Sequence, residues 1–350
     1  MILIWVKPLD VTVLVEFYST IKTTRRTKAV YNSHNEIQSY HNKEVTLPKS
    51  EQNEMRRHRK ANRKRLKDGL KLDNKPQPVN FQSQGSYAHR TMIQYKDKDY
   101  DIDDGVYFSR DDLKNKKGRD KNARDAKEMV RKAVHRSRLK HSPEIRTNCV
   151  RIHYDAGYHV DIPVYREIKT GKEEPYYEIA STSWKKSDPV AVNRWFEKKS
   201  KRRGSSEENR QQLCRLIRLL KAFARSRKKW RTRIASGFMI TILIVEECYR
   251  AHPGRDDKAL YETMVAMRDR LKFNLKIKHP TMKGEILTSG PDDAKTGFLQ
   301  KQLNQAIDDL AILFNLNCDR KQALKAWDKV FNTNFFGSLL DGKKQPNRRV

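Results

Sequence analysis

Asp101 and Asp103 flank Ile102 in the run DYDIDDGVYF, residues 99–108, and this spacing suggests the first piece of chemistry. In an extended strand alternate side chains share a face, so both carboxylates point the same way while Ile102 enters the core. Two neighbouring carboxylates repel each other and need a compensating cation. Hard oxygen donors of this kind suit magnesium, with manganese as the alternative. A third acid, Asp161, sits in YHVDIPVY between apolar residues, where a strand would hold it rigidly beside the first pair. Three carboxylates on adjacent strands make a site for two ions. One would lower the pKa of an attacking ribose hydroxyl, and the other would steady a triphosphate and its pyrophosphate leaving group. Asp161 could also accept the hydroxyl proton. Asp104, immediately before Gly105, faces the other way and reads as a cap for a bulge or turn.

Gly85 and Ser86 precede this pair. Glycine followed by serine at a helix start leaves backbone N–H groups and a small hydroxyl free to hold the β and γ phosphates of a nucleotide. Alone, such a dipeptide reads as a turn; its weight comes from the acids downstream.

The elements that must position these residues are legible in outline. EQNEMRRHRKANRKRLKDGL reads as a long basic helix ending near Gly69, with little apolar face beyond Leu66 and Leu70. NKPQPVNF supplies a proline-bearing loop before Gln84. Residues 120 to 140 read as a basic amphipathic helix with Ala126, Met129, Val130, Ala133 and Val134 on its apolar side. CVRIHYD and YHVDIPVY, separated by Ala156 and Gly157, predict a hairpin, and YYEIA adds a strand. The second half changes period. Leu213, Leu216, Ile217, Leu220 and Phe223 recur at helical spacing, GFMITILIVEECY suits a buried helix, and further helices are expected over 257–273, 297–315 and 320–331.

In order and spacing, QGSYAHRTM, DYDIDDGVYF, HVDIPVY and SWKKSDPVAVNRWF resemble the cGAS/DncV-like nucleotidyltransferases (CD-NTases) of bacterial antiphage (CBASS) signalling, from about residue 31 to about 335. The resemblance implies an α+β fold: a polymerase-beta-like nucleotidyltransferase core with a mixed β-sheet palm and a C-terminal helical lobe. On this reading residues 31–200 form the catalytic core with its N-terminal helix, 201–338 a helical lobe closing the active site, and 339–350 a basic tail. It further implies that Gly85 and Ser86 grip the donor triphosphate, that Asp101, Asp103 and Asp161 bind two magnesium ions, and that Gln84 approaches a ribose. Arg151 would help to place the acceptor nucleotide and Lys221 would reach the triphosphate. Ser236 would lie near the phosphates, and Ser187 with Asp188 beside a nucleobase. The chain departs from the pattern just after the Gly-Ser turn, where Tyr87, Ala88 and His89 leave the base contact open.

The implied activity is cyclic di- or trinucleotide synthesis from ATP, GTP or pyrimidine nucleoside triphosphates, with regulatory protein partners and a downstream effector that answers to the product. Two alternatives stand beside it: a template-independent RNA nucleotidyltransferase, which would use the same acids, and a non-enzymatic nucleic-acid-binding protein.

Composition narrows the field. Lysine and arginine total 75 against 43 aspartates and glutamates, a net charge of +32 over 350 residues, which points to polyanionic partners without choosing among them. Cys149, Cys214, Cys248 and Cys318 lie far apart, with no zinc-ligand spacing and no disulfide framework, which fits a reducing cytoplasm. Animal relatives of the family sense DNA through a zinc-bearing insertion, so direct DNA activation is disfavoured here. The apolar opening, residues 1–21, is interrupted by Lys7, Pro8, Asp10 and Glu16, which argues against a membrane span, and residues 1–30 read as a poorly ordered upstream extension with little part in the fold.

Overall fold

The computed structural model describes residues 31–94, 101–115, 117–135, 139–171 and 174–341; the expected extension 1–30 and most of the expected tail lie outside them. Within these residues eight strands form one mixed sheet in the order β3-β4-β5-β2-β6-β7-β8, with β1 pairing on β2. The strands are β1 (Asn80–Ser83), β2 (Asp101–Ser109), β3 (Glu144–Ile145), β4 (Val150–His153), β5 (His159–Ile162), β6 (Val164–Ile168), β7 (Tyr176–Ala180) and β8 (Trp184–Lys186).

The central strand β2 organises the molecule because its two faces differ in sequence. Its even positions are mostly apolar: Val106 and Phe108 pack with Leu66, Leu70, Val130 and Val134, and Ile102 packs with Leu47 and Met55. Apart from Leu47, which just precedes it, these partners belong to α2 (Lys49–Leu72), which follows the short α1 (His34–Tyr40), and to α4 (Ala123–His135). Its odd positions, Asp101, Asp103, Gly105 and Tyr107, therefore face away from those helices.

The expected hairpin is present, with β4 antiparallel to β5 around a turn in which Gly157 takes φ +93°. The expected single strand HVDIPVY is two strands. Pro163 has no N–H to offer a ladder, and at that point β2 exchanges its parallel partner, from β5 at Asp101–Asp103 to β6 at Val106–Ser109. The Pro163 carbonyl still accepts from the Val106 amide at 2.9 Å, so the crossing point stays tied to β2.

α2 runs past Gly69 to Leu72. A Cβ on Gly69 would lie 2.1 Å from the Ala133 carbonyl oxygen, so this glycine permits the close crossing of α2 and α4 and does not end the helix. Gly69→Ala is expected to force these helices apart and cost roughly 1–3 kcal/mol, read as a lower urea midpoint with an unchanged slope.

The other side of the molecule is helical: α5 (Pro189–Arg203), α6 (Glu207–Arg225), α7 (Gly237–Leu243) running into a wider turn Ile244–Cys248, α8 (Asp256–Phe273), α9 (Ala294–Leu310), α10 (Arg320–Phe331) and α11 (Phe335–Ser338). Asp188, Ser206, Ser236, Asp293 and Asp319 each cap one of these helices with a side-chain oxygen. The helix expected over 297–315 starts earlier, where Asp293 caps it, and tightens after Leu310 into a turn over Ala311–Phe314.

Two segments from the expected catalytic core pack into this helical core instead. Tyr40 of α1 stacks among Phe331, Phe335 and Phe336 with ring centroids 4.6–5.4 Å apart, and Trp195 and Phe196 of α5 join the same cluster. Burial of such large rings decides where these elements dock, whatever their place in the sequence. Among the described residues, no helix is long and apolar enough to cross a membrane.

Candidate active site

The β2–β5 register puts Asp103 directly beside Asp161, and Asp101 is two residues before Asp103 on the same face. One carboxylate oxygen from each of the three lies within 4.8 Å of the others. Their proximity has an electrostatic consequence. Burial, and then the charges of Asp101 and Asp161, push the Asp103 carboxyl up to about 7, while Arg151 works in the opposite direction.

Arg151 is the cross-strand partner of Asp161 and grips it with two bonds, Nε to Oδ1 at 2.8 Å and an amino nitrogen to Oδ2 at 2.7 Å. The same guanidinium stands 4.0 Å from Asp101. Three hard oxygen donors converging on one point fit a divalent cation such as magnesium.

Asp104 is on the opposite face, as its parity requires, but it caps no bulge or turn. It is buried and takes a fork of bonds at 2.7 and 2.6 Å from Arg63 of α2. Ser83 also donates to it, at 3.2 Å.

The Gly-Ser turn lies over the acids. Gly85 takes φ +59°, opening the short helix α3 (Gly85–Ala88), and a Cβ there would sit 2.6 Å from Asp103 Oδ2. Residue 85 must therefore be glycine for both conformation and space. The turn is tied down from behind, since the Gln84 amide donates to the Asp103 carbonyl at 2.9 Å. The first N–H groups of α3 have no acceptor within the helix and are available to an anion. Gly85→Ala is expected to lower nucleotide turnover about tenfold or more at saturating magnesium, and the strain of an alanine in this conformation should cost roughly 1–3 kcal/mol, read as a lower melting temperature of a variant that still folds.

The acids and the turn open onto a cleft of about 800 Å³ between the sheet and the helical side, large enough for a nucleotide. Of the residues selected from sequence, Gln84, Gly85, Ser86, Asp101, Asp103, Arg151 and Ser187 line it from the sheet side, and Asp188, Lys221 and Ser236 from the helical side. Asp161 lies against the sheet, beneath Arg151.

Several of these side chains also have structural partners. Asp188 accepts from the Ala191 amide at 2.8 Å and Ser236 from the Met239 amide at 3.2 Å, so each caps a helix at the cleft wall. Lys221 Nζ donates to Thr91 Oγ1 at 3.0 Å, and burial followed by the charge of Arg218 lowers its pKa to about 8. A lysine held this way gains by meeting a triphosphate, because new negative charge restores its preference for the charged form.

Sequence reasoning missed other cleft residues, including Thr91, Asn193, His279 and Lys295. Thr91 follows the Gly-Ser turn closely, which was the one available signal; His279 comes from a distant loop and Lys295 from the first turn of α9, and they gave none. Of the residues after the turn, His89 stacks one face of its ring on Phe196 at 4.2 Å and bonds Asn193 Oδ1 at 3.1 Å.

A family model described as "Cyclic GMP-AMP synthase DncV-like, nucleotidyltransferase domain" matches residues 79–165, the span that carries the turn and all three acids. These residues resemble a DncV-like nucleotidyltransferase domain. Solved nucleotidyltransferase structures share the fold of nearly the whole chain. The 3'-deoxy GTP bound form of DncV from Escherichia coli superposes with a TM-score of 0.67 at 17% identity, covering 89% of this chain and 99% of that one. DncV from Vibrio cholerae, a cyclic AMP-GMP synthase in complex with the linear intermediate 5' pppA(3',5')pG, gives 0.67 at 16% identity, covering 87% and 96%. CdnC from E. coli MS115-1, in complex with HORMA-deltaN, gives 0.67 at 18% identity, covering 88% and 99%. The α+β architecture expected from sequence is thus the fold of the DncV-like nucleotidyltransferase domain and the helices packed against it.

Proposed function

We propose that the protein is a cyclic di- or trinucleotide synthase that joins nucleoside triphosphates and releases pyrophosphate. One observation carries this reading: two of three converging carboxylates, Asp101 and Asp103, a glycine turn with free amides above them, and a buried lysine line one nucleotide-sized cleft, with the third acid, Asp161, directly beside Asp103. Clustered acids alone suit many roles, but clustered acids opposite phosphate-binding groups suit phosphoryl transfer.

In the proposed reaction a 2′ or 3′ hydroxyl oxygen of one nucleotide attacks the α-phosphorus of another. The new bond forms as the bond to pyrophosphate breaks, and a second attack closes the ring. Asp101, Asp103 and Asp161 would hold magnesium or manganese, which when bound neutralises triphosphate charge and makes the attacking hydroxyl more acidic. The Gly85 and Ser86 amides, Lys221 and Ser236 would hold the phosphates in line, which is most of what this chemistry asks of a protein. Arg151 would orient the acceptor, and Ser187 with Asp188 would border a base. Asp161 is the proposed proton acceptor, a role that needs Arg151 to release one of its oxygens.

By analogy with the DncV structure that holds 5' pppA(3',5')pG, ATP and GTP would be the substrates; pyrimidine triphosphates and a cytoplasmic setting belong to the reading from sequence. A regulatory protein in the manner of the HORMA partner of CdnC, and an effector that answers to the product, would complete an antiphage (CBASS) signalling role.

The test is to incubate the protein with magnesium and all four labelled triphosphates, with and without an RNA acceptor, then treat with phosphatase and resolve products by mass. A phosphatase-resistant cyclic product formed without RNA is expected. Growth of the RNA instead would assign the template-independent RNA nucleotidyltransferase reading, and no product from either would leave nucleic-acid binding.

A further inference from the structure

Resting on the nucleotide-joining reading above, we infer that Gln84 is a positioning residue: with Tyr107 and Tyr165 it forms a truss that fixes the Gly85–Ser86 turn over the carboxylates, and it does not contact the ribose.

The argument begins with the rows of side chains across the sheet. Asp103 and Asp161 are register partners on β2 and β5, and four residues further along each chain Tyr107 and Tyr165 are register partners on β2 and β6. Positions four apart in extended chain share a face, so a row of carboxylates and a row of phenols stand side by side on the cleft face of the sheet. The two phenol rings stack at 4.7 Å with an interplanar angle of 11°, and Tyr177 packs edge-on against Tyr107 at 5.2 Å. The phenol row is therefore a rigid fixture.

Between the rows lies Gly105. A Cβ there would fall 2.0 Å from Gln84 Nε2 and 3.0 Å from the Tyr165 ring, so the glycine provides the space into which the Gln84 amide fits. In that space both ends of the amide are engaged. Nε2 donates to the Tyr107 hydroxyl at 3.1 Å, and the Tyr165 hydroxyl donates to Oε1 at 3.0 Å. Gln84 is only 6% exposed.

The main chain of the same residue completes the connection. Its N–H donates to the Asp103 carbonyl at 2.9 Å and its carbonyl accepts from the Ala88 amide at 3.3 Å. Residue 84 is thus anchored by side chain to the phenol row and by backbone to the carboxylate strand, one peptide before the turn. A ribose contact could draw only on the remaining Nε2 hydrogen and Oε1 lone pair of an amide already held at both ends, whereas a positioning role uses the two bonds that are made.

The test compares magnesium-dependent binding of a non-hydrolysable ribonucleoside triphosphate analogue and its 2′-deoxy counterpart. The proteins are the wild type, Gln84→Leu, Tyr107→Phe and Tyr165→Phe, each held well below its melting temperature, where a purely structural weakening leaves affinity unmoved. Each variant is expected to weaken both analogues by the same factor, about tenfold for Gln84→Leu and less for each Tyr→Phe, with the ribose-to-deoxyribose ratio as in the wild type. The Tyr→Phe variants keep the rings and their packing, so they remain informative if Gln84→Leu fails to fold. The inference is overturned if Gln84→Leu weakens only the ribonucleotide and equalises the two analogues, or if all variants bind as the wild type does. A wild type that binds neither analogue would sink the nucleotide reading itself, and this inference with it.

Discussion

Replacing Asp101 and Asp103 together by asparagine is expected to reduce nucleotide condensation at least a thousandfold, roughly 4 kcal/mol of transition-state stabilisation, while the protein still folds. The two halves of this expectation have separate causes. Activity falls because the asparagines lose the anionic oxygens that hold a divalent cation beside the triphosphate. Stability holds because the carboxylates are not favourable to the fold: burial and the neighbouring acids already oppose charge on Asp103. Asparagine keeps the shape and removes the repulsion, so the melting temperature without magnesium should match or exceed that of the wild type. Any rise in melting temperature on adding magnesium should vanish in the variant. Synthesis retained by the double variant would show that the chemistry lies elsewhere.

The largest effect on stability is expected far from the cleft, at Arg215. Its side chain forks onto Asp256, Nε to Oδ2 at 2.6 Å and an amino nitrogen to Oδ1 at 3.0 Å. The Asp256 side chain has no solvent exposure. Burial opposes its charge, but the Arg215 and Gln212 donors outweigh burial and hold its carboxyl below the usual range. Arg215→Ala leaves that carboxylate buried with too few partners, at a cost of about 3–5 kcal/mol. The exposed pair Lys64 and Asp68 supplies the contrast; cutting it should cost less than about 0.5 kcal/mol. Urea denaturation of both variants checks the difference, and a second change, Asp256→Asn, should recover much of the loss at Arg215. Equal costs at the two sites would mean that burial does not govern this pair.

The sequence was informative where local pattern and structure obey the same rule. The parity of β2 put Asp101 and Asp103 on one face and Asp104 on the other, because side-chain alternation is a property of the strand itself. The hairpin carried more than was read from it. A turn centred on Ala156 makes Arg151 the partner of Asp161, yet Arg151 was assigned to the acceptor nucleotide with no mention of the acid it grips. Other features depended on contacts distant in the chain. Gly69 looked like a helix stop and is a crossing point, since only the approach of Ala133 distinguishes the two. Tyr40 falls in the segment 31–200 expected to form the catalytic core, yet it packs on helices almost three hundred residues later, because large rings settle where they are covered. Gln84 drew a role from resemblance, while the bonds that define its surroundings come from Tyr107 and Tyr165, which no local pattern singled out.

Crystals grown with manganese and a non-hydrolysable nucleoside triphosphate, with anomalous scattering recorded for the metal, would test the central claim most directly. The account predicts metal peaks about 2.0–2.3 Å from carboxylate oxygens of Asp101, Asp103 and Asp161, with the triphosphate seated on the amides of Gly85 and Ser86. Manganese bound elsewhere, or a triphosphate lying away from that turn while the three acids stay bare, would contradict it.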